Sequence, residues 1–238
     1  MIYSKKLLIC LGLLYFIYLL TIIPIKKIEN FNLLLPNHDN LKEKIIYGLK
    51  TIDELFNTNN IHYIIAYGTL LGAVRHWDMI PWDDDADIIV LRKDYNNIIK
   101  LKNEFKKRGL IMETDWKLIK IYFDDTKFPF IDIFIHDNEN GKTIRCTEPF
   151  EKKCNYIDKV NDWWWQYIDY PYEWNINKKR FKFGNIELWG PTEAEKILKY
   201  WYGPDCLTKC ETNSLDHISG NYVEKKNIDC RDLPKKQI

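Results

Sequence analysis

The stretch "IPWDDDADIIV" (residues 80–90) sets four carboxylates, Asp83, Asp84, Asp85 and Asp87, directly against an apolar run that reads as a buried strand. Side chains along a strand alternate between its two faces. Asp85 and Asp87 therefore share one face and Asp83 continues it, while Ala86, Ile88 and Val90 line the other. A later run, "FPFIDIFIH" (128–136), puts Asp132 on a face with Phe130 and Phe134, opposite Ile131, Ile133 and Ile135. A bare carboxylate among large apolar residues is costly to bury, and converging carboxylates raise one another's pKa. Two folds relieve this. Either the acidic run is a solvated turn and Asp132 pairs with a lysine, or the carboxylates meet around a divalent cation, for which hard oxygen ligands suit Mg²⁺ or Mn²⁺.

The flanking pattern predicts what carries these strands. Leu41, Ile45, Ile46, Leu49, Ile52, Leu55 and Phe56 recur at helical spacing over residues 38–57. "IHYIIAYG" (61–68) reads as a strand ended by Gly68, "TLLGAVRH" (69–76) as a short helical turn, and "ADIIVLR" (86–92) as a second strand. Residues 94–108 read as one helix, with Asp94 as N-cap and Gly109 as stop. Residues 117–123 and 128–136 follow as two strands joined by a turn at 124–127. After Gly141 the signals weaken, except in "TEAEKILKYWYG" (192–203), where Thr192 and Glu195 form a capping box and Gly203 a stop. The expected class is α+β, a mixed sheet flanked by helices.

Residues 7–23 are uncharged and apolar, between Lys5 and Lys6 on one side and Lys26 and Lys27 on the other. No small-residue cleavage step follows, so the run reads as an uncleaved transmembrane signal anchor rather than a removed leader. The lysine balance leans towards a cytoplasmic N-terminus. The expected plan is a tip and anchor (1–24), a stalk (25–37) and one catalytic domain (38–238), as a single-pass type II protein whose domain faces the Golgi or ER lumen. Net charge is +1, which argues against a nucleic-acid binder. With Cys10 in the anchor, Cys146, Cys154, Cys206, Cys210 and Cys230 remain. In an oxidising lumen, Cys146–Cys154 and one pair among the last three are the expected bridges. The alternative is zinc on Cys206, Cys210, His217 and Cys230.

Gly68 and Thr69 stand at a strand-to-helix junction, where a small residue admits a phosphate and a helix start favours anions. Arg75 and His76 are candidates for phosphate contact, against the alternative of a pair capping a short helix. Trp82 is a candidate for stacking on a base or sugar, while Trp163, Trp164, Trp165 and Trp174 read mainly as core and rim packing. His62 and His136 read as structural.

These motifs carry a resemblance. "YGTLLGAVRH", "IPWDDDAD" and "IDIF", with a later "WGPTEAEKILKYWYGPD", closely resemble the LicD family, which includes bacterial phosphocholine transferases and the animal fukutin and fukutin-related proteins. The match runs from about residue 47 to 217 and implies the nucleotidyltransferase fold. It also implies transfer of a phosphorylated alcohol from a CDP-linked donor, such as CDP-choline or CDP-ribitol, to a glycan hydroxyl, with Asp85, Asp87 and Asp132 as catalytic metal ligands. The sequence departs from the family at Trp77, where a glycine is common, and in its cysteines. Two rivals are a GT-A glycosyltransferase, which needs a longer segment before its Asp-x-Asp pair, and an inactive glycan-binding scaffold.

Overall fold

Helix α1 (Asp39–Thr58) turns Leu41, Ile45, Leu49, Ile52, Leu55 and Phe56 inward, all buried, as the helical spacing predicts. The computed structural model describes residues 39–114, 118–146, 169–212, 215–218, 220–222, 226–230 and 233. The expected anchor and stalk, Cys154 and Trp163 to Trp165 lie outside them. Among the described residues no helix is long and apolar enough to cross a membrane.

After α1 come β1 (Tyr63–Ile65), α2 (Tyr67–His76), β2 (Ala86–Leu91), α3 (Tyr95–Lys100), α4 (Lys102–Lys107), β3 (Ile111–Thr114), β4 (Ile119–Tyr122), β5 (Phe130–Glu139) and β6 (Lys142–Arg145). The strands form a mixed sheet in the order β1-β2-β5-β4-β3, with β6 paired to β5. Strands β2 and β5 run parallel, and the other pairs antiparallel. Helix α1 lies close against the face that carries Ile131. A Cβ added at Gly48 would sit 2.7 Å from Ile131 Cδ1 and from the Phe123 ring, so a larger residue there would push both side chains aside. The opposite face carries Asp87 and Asp132.

Several expected elements differ. Residues 94–108 are not one helix: Leu101 breaks α3 from α4, its N–H taken by the Ile98 carbonyl as the turn tightens. The Asp94 carboxylate does not cap α3; it accepts the His62 N–H (3.2 Å), tying α3 to the entry of β1. Gly109 does stop the helix, at φ +73. Strands β3 and β6 were not read from the sequence, nor was the hairpin of β7 (Lys178–Phe183) and β8 (Ile186–Pro191). In β7 the alternation is hidden by cations on both faces, and only Phe181 and Phe183 betray it.

Helix α5 (Ala194–Tyr202) falls within the expected segment but without the capping box. Thr192 N–H and hydroxyl both turn to the Asn177 carbonyl (2.9 and 3.2 Å), so the loop to the hairpin takes the group that would have capped. Short ribbons follow, β9 (Lys209–Glu211) with β12 (Asn227–Asp229) and β10 (Leu215–Asp216) with β11 (Asn221–Tyr222). A Cys210–Cys230 disulfide staples the first ribbon, and Cys206 is a buried free thiol. Both sulfurs of the bridge are thereby spent, which overturns the zinc alternative. Cys146 is also disulfide-bonded.

Candidate active site

Register builds the centre of the site. Asp87 of β2 stands opposite Asp132 of β5, and Asp132 stands opposite Lys120 of β4. Residues paired across neighbouring strands project to the same face, so Asp87, Asp132 and Lys120 form one row across the sheet. Lys120 Nζ donates to Asp132 Oδ1 (2.6 Å) and lies 3.8 Å from the Phe130 ring centroid. The two readings of Asp132 thus hold together: it pairs with a lysine, and it joins Asp85 and Asp87. One carboxylate oxygen from each of these three aspartates lies within 4.8 Å of the others.

The start of α2 abuts this row. The Asp87 N–H donates to Thr69 Oγ1 (2.7 Å), and its carbonyl accepts the Ala66 N–H (3.0 Å), which locks β2 to the β1–α2 junction. The junction is sharp, with Tyr67 at φ +43. Gly68 was expected to admit a phosphate; here the Asp83 carboxylate fills the space, 2.6 Å from where a Cβ would stand.

A second group arrives from the far end of the chain. His217 Nδ1 lies 2.6 Å from Asp84 Oδ1, its backbone N–H donates to Asp84 Oδ2 (2.9 Å), and its Nε2 is 3.7 Å from Asp85 Oδ2. Phe130 packs edge-on against the imidazole at 4.9 Å. Asp84, Asp85 and His217 make a second ligand set with atoms within 4.8 Å, sharing Asp85 with the first.

The electrostatics follow from crowding. Burial, with the Asp132 and Asp84 charges added, pushes the Asp85 carboxyl up to about 7 despite the pull of His217. Burial and the neighbouring aspartates drive Asp83 and Asp87 well above the carboxylate range. Burial also raises Asp132, with Lys120 partly offsetting it. Burial disfavours the His217 cation, but the hydrogen bond to Asp84 and the Asp85 and Asp84 charges outweigh it and raise its pKa. A carboxylate cluster that resists ionisation, with oxygen donors facing one another, is an arrangement a hard divalent cation stabilises. The donor set therefore fits Mg²⁺ or Mn²⁺.

Other expected residues take different places. Arg75 and His76 pair with each other, Arg75 Nε donating to His76 Nε2 (2.9 Å), and the guanidinium also donates to the Cys206 carbonyl (3.2 Å). His76 is buried, and burial lowers the Arg75 pKa to about 10. Trp82, expected to stack on substrate, is only 6% exposed and is part of the core. Trp174 stacks on Tyr170, centroids 6.0 Å apart. His136 is buried with its nitrogens facing the Tyr67 and Tyr170 hydroxyls, and burial pushes it down to about 3. His62 meets the Asn175 carbonyl (2.7 Å). Both histidines are structural.

Sequence reasoning missed Lys120, and saw His217 only as a zinc ligand. A lysine between Ile119 and Ile121 in a buried strand is a signal in itself, since a buried cation needs a partner. His217 has no comparable local signal.

The model of the LicD/FKTN/FKRP nucleotidyltransferase domain matches residues 60–193, more than half of the chain. The chain belongs to this family. An uncharacterized protein of Rickettsia typhi is 36% identical over 143 residues, 60% of this chain and 40% of that one. The lipopolysaccharide cholinephosphotransferase LicD of Haemophilus influenzae is 32% identical over 117 residues, 41% of this chain and 44% of that one. The ribitol 5-phosphate transferase FKRP of Mus musculus is 22% identical over 158 residues, 63% of this chain and 29% of that one. The chain thus spans less than half the length of the curated relatives it matches. The match to the LicD family takes in Gly68, Thr69, Asp85, Asp87 and Asp132, but not His217.

Proposed function

We propose that this LicD-family chain is a metal-dependent transferase that moves a phosphorylated alcohol, of the choline phosphate or ribitol phosphate kind, from a CDP-linked donor to a glycan hydroxyl. The observation that carries this reading is the convergence of Asp85, Asp87 and Asp132, set by strand register beside the start of α2. These three residues would hold Mg²⁺ or Mn²⁺, with Asp84 and His217 alongside. Such a cation, when bound, neutralises charge on a diphosphate and on departing CMP.

The chain's own side chains do the remaining work. Lys120 fixes the Asp132 carboxylate, and Thr69 fixes the backbone of Asp87. Asp84 takes the Nδ1 side of His217 and turns Nε2 towards the cluster. From there Nε2, beside Asp85, is a further donor that the cation could take. The Cys210–Cys230 bridge supports an oxidising compartment. In this reading residues 7–23 anchor the protein in a type II arrangement, with the catalytic domain in the Golgi or ER lumen; carbonate extraction of membranes, leaving the protein in the pellet, tests it.

The activity is tested by following CMP release from CDP-choline and CDP-ribitol, with Mn²⁺, Mg²⁺ or a chelator, and with UDP-sugars as controls. Metal-dependent CMP release with a glycan acceptor is the expected result. A response to UDP-sugars alone would make the protein a glycosyltransferase, and no response to any nucleotide would leave a glycan-binding scaffold.

A further inference from the structure

Away from the aspartates, the end of α2, strand β7 and the start of α5 line an open cavity of about 780 Å³. Five cations line it, Lys179, Arg180 and Lys182 from β7 and Lys196 and Lys199 from α5, against the carboxylates of Glu193 and Glu195. Three of the cations are committed. Arg180 forks onto Asp53 (2.7 and 2.9 Å), Lys196 pairs with Glu193 (2.7 Å) and Lys199 with Glu195 (3.5 Å). Lys179 and Lys182 instead lie over aromatic rings, 5.0 Å from the Phe181 centroid and 5.7 Å from that of Trp77. A ring face attracts an ammonium group without using up its hydrogen-bond donors.

Trp77 is the second observation. It ends α2 in the left-handed region at φ +56, where a bulky side chain is strained. Surrounding structure holds it there, since its carbonyl accepts the Gly184 N–H of the hairpin turn (2.7 Å). Trp77 remains 38% exposed, on the cavity wall. Strain of this kind persists where surrounding contacts over-determine it, and such positions cluster at ligand clamps. An exposed indole beside two lysines offers an apolar platform and ammonium donors together. That combination suits a sugar ring, whose faces are apolar, carrying an anionic group.

We infer that this cavity is an acceptor subsite for an anionic saccharide, one bearing phosphate or carboxylate groups. The inference rests on the transferase reading for the word acceptor, and on the cavity alone for the binding. Gly68, at the carboxylates, and Trp77 are nine residues apart along α2, about 13 Å at helical rise. None of the site aspartates, nor His217, lines the cavity, and it suits a chain extending away from the reacting hydroxyl.

The test is calorimetric titration of the full chain in detergent with a phosphomannan oligosaccharide, the same oligosaccharide after phosphatase, and vesicles containing phosphatidylserine. CMP release from a CDP-alcohol without acceptor is followed in parallel. The phosphorylated sugar should bind more tightly than its dephosphorylated twin, and the difference should shrink with salt. Joint Lys179→Ala and Lys182→Ala substitution should weaken the phosphorylated sugar on the order of tenfold and leave the dephosphorylated one little changed. Trp77→Gly should weaken both sugars, and its melting temperature should hold because glycine tolerates the positive φ. Basal CMP release should be unchanged in every variant. Binding of neither sugar, indifference of both variants, or binding of vesicles alone would overturn the subsite. Variant-sensitive sugar binding without any CMP release would keep the subsite and overturn the transferase reading.

Discussion

Asp87 meets three demands at once. Its N–H goes to Thr69, its carbonyl to Ala66 and its carboxylate to the row shared with Asp132. Only the last involves the side-chain charge. Asp87→Asn keeps the backbone bonds and removes a buried repulsion, so the metal-free protein should melt no lower than the parent while cation-dependent transfer disappears. Wild-type turnover at saturating Mn²⁺ would show that Asp87 is no ligand. A pH dependence follows from Asp85, whose carboxyl is raised from 3.8 to about 7. Between those values the folded chain holds the proton and the unfolded chain does not, so stability falls as pH rises through the window. His136 acts oppositely, because its lowered pKa removes stability as pH falls below the ordinary imidazole value. The two separate in a difference measurement. In chelator, the stability of Asp85→Asn relative to the parent should grow from pH 5 to pH 8, and Mn²⁺ should erase that growth. A flat difference would show that Asp85 is not held protonated.

Helix α2 owes its seat to two glycines that differ in what faces them. At Gly72 a Cβ would sit 2.5 Å from the Asp78 carbonyl oxygen and 3.2 Å from Ile80 N, both backbone atoms of the turn that leads into "IPWDDDAD". That turn cannot retreat without moving the acidic run, so Gly72→Ala should destabilise by about 1–3 kcal/mol. At Gly68 the obstacle is the Asp83 carboxylate, the movable end of a side chain. Gly68→Ala should therefore fold at near-parental stability, helped by alanine's helix propensity, while displacing Asp83. Chemical denaturation of both variants tests the contrast, and equal losses would refute it.

Across the whole molecule, the site joins segments that only the long-range fold brings together. His217 reaches Asp84 from within the stretch bounded by Cys210 and Cys230. The bridge closes a 20-residue separation, for which chain-entropy arguments give about 3 kcal/mol. Cys230→Ser should thus lower stability by roughly 2–4 kcal/mol and weaken cation binding by releasing His217. Asp85, Asp87 and Asp132, held by the sheet, should keep a weaker cation site. Calorimetric titration with Mn²⁺ would show this as reduced affinity. Unchanged affinity would mean that His217 is held by Asp84 and Phe130 alone.

What could be read from residues alone was whatever depends on local period. Alternation along 85–90 and 130–136 assigned Asp85, Asp87 and Asp132 to faces, and helical spacing marked α1, because both periods are properties of the chain over a few residues. The motifs identified the LicD family for the same reason, being contiguous. The rest was decided by pairing. The parallel register that sets Asp87 opposite Asp132, and the antiparallel one that brings Lys120 to Asp132, depend on which strands adjoin. The Asp94 and Thr192 caps failed because partners distant in sequence, His62 and Asn177, offered their side chains better bonds. Trp82 went into the core and Arg75 turned to Cys206 because packing around α2 left them those positions. Hydrogen bonds and burial between distant segments form only once the chain has closed, and no local pattern encodes them.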